Sequence, residues 1–280
     1  MDAACRPFRY RWRLPCVSPT LLPATPGSAM PTSATSGKER ATMTEKPRGV
    51  VITGAGGDLG RVLCDSFLAD GLTVFAADVK PPPPREHLVP VQTDVTDRAA
   101  MEALARQAGQ HSRLEAWING AGLFVVCPVL KADDADWHRI MAVNLTGTYI
   151  GCSVALPVLA EAGGGRIVNI GSISGQVGGV GAHPAYGASK AGIHALTKTY
   201  ASEGARYGVL CNAIAPGLLE AGMVREFGEA QRDKLARGAA LRRLGTLAEI
   251  AHVIRFLADP ANTYMTGAIV PVNGGAYMPS

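Results

Sequence analysis

From residue 49 onward, short apolar runs alternate with longer amphipathic segments, and the alternation continues almost to the end of the chain. The runs predict strands over 50–53, 73–77, 88–92, 116–119, 166–170, 209–215 and 268–272. Helices are predicted to begin near Leu59, Ala99, Asp134, Ala185 and Thr246. Glu249 follows Thr246 by three residues, the spacing of a capping box. Strand and helix in turn imply an α/β fold with a parallel sheet. One link breaks the pattern. Between the second and third runs stands only "VKPPPPREH", whose four prolines forbid a helix, so an extended loop is expected to replace the crossover helix there.

The first 45 residues differ in kind. They are rich in Pro, Ser, Thr and Arg, and in places resemble an organellar transit peptide, although the frequent prolines oppose a sustained amphipathic helix. The expected division is therefore an extension over 1–45, disordered or preceding a real start at Met43, and a catalytic domain over 46–280. Residues 1–48 hold eight basic and three acidic side chains, so the small positive excess of the chain sits there and the body is close to neutral. A near-neutral body argues against a nucleic-acid partner. The six cysteines are scattered with no C-x-x-C pair, which suggests reduced, mostly buried thiols, no disulfide framework and no metal site. No apolar run is expected to reach the roughly 20 residues of a membrane helix. A cytoplasmic location is expected, or an organellar one if the extension is a transit peptide.

Candidate chemistry begins at "TGAGGDLG", residues 53–60, directly after the first strand. It does not match G-x-G-x-x-G, since the third glycine would fall on Leu59, so it is either a phosphate loop of another pattern or a tight turn. "YGASK" places Tyr186 and Lys190 four apart, on one face of a helix. A neighbouring ammonium would lower the phenol pKa toward that of a general acid/base; alternatively the helix merely exposes both. Ser172 follows the strand at 166–170, at the carboxyl edge where ligands bind parallel sheets, although a turn-forming role suits it and Ser174 equally. Asn144 lies inside a helix, a poor place for Asn unless its amide has a partner.

Taken in order, these motifs resemble the short-chain dehydrogenase/reductase family over about residues 48–280. The further elements are Asp78 after the second strand, "DVTD" at 94–97, "NGAG" at 119–122, "NAIAPG" at 212–217 and "VNGG" at 272–275. The resemblance implies a single Rossmann-type, doubly wound domain with a seven-stranded parallel sheet and helices on both faces. It also implies Tyr186 as proton donor or acceptor, and Lys190 as ribose ligand and depressor of the tyrosine pKa. Ser172 would orient the substrate oxygen, and Asn144 would support a water chain to Lys190. Cofactor contacts would come from Gly54, Gly57, Asp58, Leu59, Asp78, Asp94, Val95, Asn119, Ala121, Gly122, Tyr186, Lys190, Pro216, Gly217 and Leu219. Asp78 would bind the adenosine ribose and repel a 2′-phosphate, which favours NAD over NADP.

The expected activity is hydride transfer between NAD(H) and a small-molecule secondary alcohol or ketone, in a homo-oligomer, tetramer or dimer. NADPH-dependent reduction of a 3-oxoacyl thioester is the alternative, and a non-catalytic NAD sensor is the alternative of another class. Candidate pocket walls are Phe124, Val126, His183, Leu218, Met223 and Phe227, with 218–238 as a mobile lid. Three departures from the family pattern stand out. Asp58 occupies a usual glycine position, where it is expected to cap the following helix and weaken NAD binding. Gly120 replaces a second Asn, with a loosened strand end expected, and Ala221 replaces a frequent Thr.

Overall fold

A computed structural model describes residues 46–179, 181–222, 224 and 229–279. The 1–45 extension, Met223 and Phe227 lie outside the described residues. Seven strands form one sheet: β1 (Arg48–Thr53), β2 (Thr73–Asp78), β3 (Leu88–Gln92), β4 (Arg113–Asn119), β5 (Gly165–Ile170), β6 (Val209–Pro216) and β7 (Ile269–Val272). Their order is β3-β2-β1-β4-β5-β6-β7, and every pair is parallel. All seven predicted strands are present, most of them longer by a residue or more.

The strands read as continuous apolar runs because both faces of the sheet are covered. Successive residues of β1 go to opposite faces: Val50 and Ile52 join one core cluster, and Val51 the other. Helices α1 (Asp58–Ala69) and α8 (Leu247–Ala258) pack on the first face, with Leu63, Phe67, Ile254 and Leu257 buried there. On the second face lie α2 (Arg98–His111), α4 (Gly147–Glu161) and α6 (Pro184–Gly204), which contribute Met101, Leu104, Leu159 and Ala201. Thr246 and Glu249 close the expected capping box of α8, each accepting a backbone N–H of the other. No helix joins β2 to β3. Both edge strands carry a proline, Pro90 in β3 and Pro271 in β7.

Between β4 and α4 stand α3 (Asp134–Ile140) and a π-helical turn, Met141–Thr146. Together they make one helical stretch, Asp134–Glu161, long and apolar enough by length and composition to cross a membrane. This corrects the expectation that no segment reaches that length. Half of its apolar window is buried inside the fold, with Cys152, Ala155 and Leu159 wholly covered, as in the core helix of a globular domain. A single-turn helix α5 (Ser174–Val177) follows β5, and α7 (Glu229–Ala236) precedes α8.

Candidate active site

The turn after β1 is built by close approach. Gly54 has φ +73°, and a Cβ there would fall 2.7 Å from the Ala121 nitrogen. A Cβ on Gly56 would meet the Lys80 carbonyl at 2.4 Å, and one on Gly60 the Gly54 carbonyl at 2.2 Å. The backbone is thereby pressed against the ends of β2 and β4 with no room for side chains. Gly57 is the N-cap of α1 and makes no side-chain cap hydrogen bond, so the amino end of that helix opens at the glycine turn. That is an anion site of the kind a pyrophosphate fills. Asp78, at the end of β2, accepts N–H bonds from Gly56 (3.0 Å) and Lys80 (2.9 Å). These residues fit a dinucleotide.

Asp58 does not cap α1. It is the first residue of that helix, and its carboxylate accepts the backbone N–H of Gly222 at 3.2 Å, tying the glycine turn to the segment after β6. Gly120 does not loosen its strand end either. Its N–H donates to Thr53 Oγ1 (3.1 Å), and a Cβ would stand 2.7 Å from the Thr53 carbonyl, so the approach of β4 to β1 requires a glycine.

The polar residues expected to react converge at the carboxyl ends of β4 and β5. Ser172 is buried, accepts the Ser174 N–H (3.1 Å) and hydrogen-bonds Tyr186. Lys190 is buried and donates to the Ile170 carbonyl (2.7 Å). A Cβ on Gly122 would lie 3.5 Å from Asn144 Oδ1 and 3.7 Å from Lys190 Nζ, so these two side chains meet at that glycine. Asn144 is wholly buried within the π turn, a deformation common at functional sites. Its Oδ1 accepts from Leu123 N–H (2.7 Å), while its Nδ2 donates to the Leu123 carbonyl (3.0 Å) and to Ser189 Oγ (3.1 Å). The amide thus clamps the chain after β4 to α6.

The expected depression of the tyrosine pKa by lysine is not what the geometry yields. Burial raises the Tyr186 pKa above its ordinary value, and only the Ser172 hydrogen bond opposes it. Lys190 Nζ stands 5.6 Å from the Tyr186 ring centre, and burial lowers its own pKa to about 8. In this structure both groups are biased toward their neutral forms.

Other expected contacts are placed less directly. The Asn119 amide turns into the sheet: its Oδ1 accepts from Trp117 Nε1 (2.9 Å) and its Nδ2 donates to Asn169 Oδ1 (2.8 Å). Only its backbone is left for the cleft. The Asp94 carboxylate folds onto Thr96, accepting from its N–H (2.9 Å) and hydroxyl (2.8 Å). Leu59, Val95 and Leu219 pack into the two cores. The Ala121 N–H approaches Thr53 Oγ1 at 3.4 Å. Pro216 accepts the Ile173 N–H (3.0 Å), and the Gly217 N–H donates to the Val272 carbonyl (3.1 Å). Leu218 lines a cavity of about 430 Å³ that also borders Leu241, Ile250 and Val272, with neither Ser172 nor Tyr186 in its wall.

Two histidines have roles that the sequence did not disclose. His183 is buried: its Nδ1 accepts the Ala185 N–H (3.2 Å), capping α6, and its Nε2 reaches the Asp133 carbonyl (3.1 Å). Because Nδ1 accepts, the proton sits on Nε2. His194 continues the face of Tyr186 and Lys190 by one more turn. A Cβ on Gly171 would fall 2.3 Å from His194 Nε2, and one on Gly175 2.8 Å from its Cε1. The ring is therefore the floor beneath the Ser172 turn. Burial, then the charges of Lys190 and Lys198, lower its pKa to about 4, and it is neutral. The four-residue spacing was the available signal.

A family model described as Enoyl-(Acyl carrier protein) reductase matches residues 59–277. The (3R)-3-hydroxyacyl-CoA dehydrogenase of Rattus norvegicus is 33% identical over 248 residues, which cover 81% of this chain and 95% of that one. The chain belongs to the short-chain dehydrogenase/reductase family. It is accordingly an NAD(P)-binding oxidoreductase of CH–OH groups. The galactitol 2-dehydrogenase (L-tagatose-forming) of Cereibacter sphaeroides is 34% identical over 246 residues, covering 80% of this chain and 92% of that one. The solved structure "ElxO with NADP Bound" superposes with a TM-score of 0.75 at 26% identity, covering 82% of this chain and 98% of that one.

Proposed function

We propose that the protein interconverts a secondary alcohol and its ketone with NAD(H), and that Tyr186 is the general acid/base. The observation that carries this reading is the meeting of Ser172, Tyr186, Lys190 and Asn144 beside the glycine cradle. When bound, the nicotinamide supplies the hydride donor or acceptor. The chain's own residues do the rest. Ser172 holds the substrate oxygen within reach of the Tyr186 hydroxyl, which gives or takes the proton there. Among the described residues Lys190 donates to one protein acceptor, Ile170 O, so its other two N–H groups suit ribose hydroxyls. Asn144 fixes the relative position of the two segments that border the cleft.

Asp78 supports NAD as the cofactor, since a carboxylate at the end of β2 accepts from the ribose hydroxyls and repels a 2′-phosphate. Fluorescence titration should give NADH a dissociation constant at least about tenfold below that of NADPH, a difference of roughly 1.4 kcal/mol. Tighter binding of NADPH would overturn the assignment. A carrier-bound thioester is less well supported. An acidic carrier would need basic side chains to dock on, and Arg206, just after α6, is already paired with Glu203 and stacks 4.9 Å over Tyr207.

Asp58 places a negative charge in the first turn of α1, beside the pyrophosphate position. Asp58→Gly is expected to tighten NADH about fivefold, from roughly 1 kcal/mol of screened repulsion. A constant that is unchanged or raised would mean that the bond to Gly222 matters more than the charge.

A further inference from the structure

The chain between β4 and α3 contains the segment 123–130, "LFVVCPVL", with no charged side chain. It is unusually exposed for such a composition. Phe124 is 52% exposed, Val126 53%, Val129 65% and Leu130 99%. Single exposed apolar residues need no explanation, but a contiguous strip beside a reaction centre does. The strip is held in place at several points. Both backbone groups of Leu123 are bonded to Asn144, the His183 N–H donates to the Val125 carbonyl (2.9 Å), and the Cys127 N–H donates to the Gly181 carbonyl (3.2 Å).

Phe124 also touches the chemistry directly. Its ring lies edge-on to that of Tyr186, with centres 4.9 Å apart and planes at 86°. On the Ser172 side, α5 ends in Val177, 55% exposed. His183, the polar residue expected in the pocket wall, is turned inward as a helix cap. A polyol would leave the hydroxyls that face this strip without side-chain partners.

We propose that the substrate carries an uncharged, extended alkyl or aryl group on one side of its carbinol carbon, seated on Phe124, Val126 and Val177. This rests on the secondary-alcohol reading above and specifies its substrate class. Each methylene laid on the strip adds up to about 0.8 kcal/mol, or roughly fourfold in kcat/KM.

The test uses the full chain with NAD and NADP, assayed by reduced-nicotinamide absorbance on 2-alkanols from butanol to octanol, on 1-phenylethanol and on galactitol. The expected result is a kcat/KM that climbs at least about twofold per methylene, with 1-phenylethanol turned over and galactitol far behind. Val126→Asp should then reduce the octanol-to-butanol ratio at least about tenfold; a ratio is unaffected by any fraction of misfolded enzyme. A flat alkanol series, or preference for galactitol, overturns the inference while leaving the oxidoreductase reading intact. No turnover of any alcohol or matched ketone defeats both. If Val126→Asp alters the oligomeric state in light scattering but not the ratio, the strip is a contact between copies of the chain and the inference fails.

Discussion

Tyr186→Phe is expected to reduce turnover by about 10²- to 10⁴-fold, the usual contribution of a general acid/base, while NADH still binds. Removing the hydroxyl leaves the ring that packs against Phe124 and takes away only the group bonded to Ser172. The loss should appear in kcat, since the proton moves only as the hydride does. Near-normal turnover would sink the mechanism. The pH dependence has a definite sign. With the phenol pKa raised by burial, the protonated form dominates at neutral pH and suits ketone reduction. Alcohol oxidation needs the phenolate, so its kcat/KM should rise through the alkaline range while that for reduction falls. Opposite slopes would show that another group carries the proton.

Lys190→Met should separate activity from stability. Turnover is expected to fall by at least about 10², because the buried ammonium is lost from its place between Ile170 and the Tyr186 ring. For stability, the folded pKa is about 8 and the ordinary value 10.5. Below pH 8 the ammonium is charged in both states and its burial opposes folding. Between pH 8 and 10.5 the unfolded chain holds a proton that the folded chain has released, so wild-type stability rises with pH, by roughly 3 kcal/mol over the window. The variant should lose that rise. The Ile170 carbonyl also loses its donor, at about 1–3 kcal/mol, so the slope is a cleaner readout than stability at one pH. Urea midpoints at pH 7.5 and 10, taken as roughly bracketing the window, would decide: an unchanged slope in Lys190→Met would place the titration elsewhere.

The sheet was legible in the sequence because its inner strands are buried on both faces and so read as largely apolar runs. The four prolines before β3 were equally legible, since they exclude a helix whatever surrounds them. Side-chain direction at strand ends was not. Asn119 and Asp78 both end strands at the same edge of the sheet, yet one amide turns into the core and the other carboxylate meets the glycine turn. Composition does not distinguish these cases, because the deciding partners, Asn169 and Gly56, are 50 and 22 residues away. His183 was expected in the pocket wall, and its capping orientation depends on Asp133, 50 residues upstream. The meeting of Tyr186, Lys190 and Ser172 was legible from spacing, since the first two share one helix and Ser172 follows a recognisable strand. Their electrostatics depend on depth of burial, which a four-residue motif does not encode.

The two edge prolines bear on how the chain survives its own synthesis. Along β3 the bonds to β2 are made at His87 and Thr93, odd-numbered positions, so the backbone of Pro90 points away from the sheet. Along β7 the bonds to β6 are made at Ala268 and Val272, even-numbered positions, so Pro271 also points outward. Each open edge therefore lacks a donor near the middle of its short ladder, where a second nascent chain would have to pair. A parallel sheet of this kind forms slowly, from strands far apart in sequence. While it waits for its helices, neither border offers a full template for aggregation.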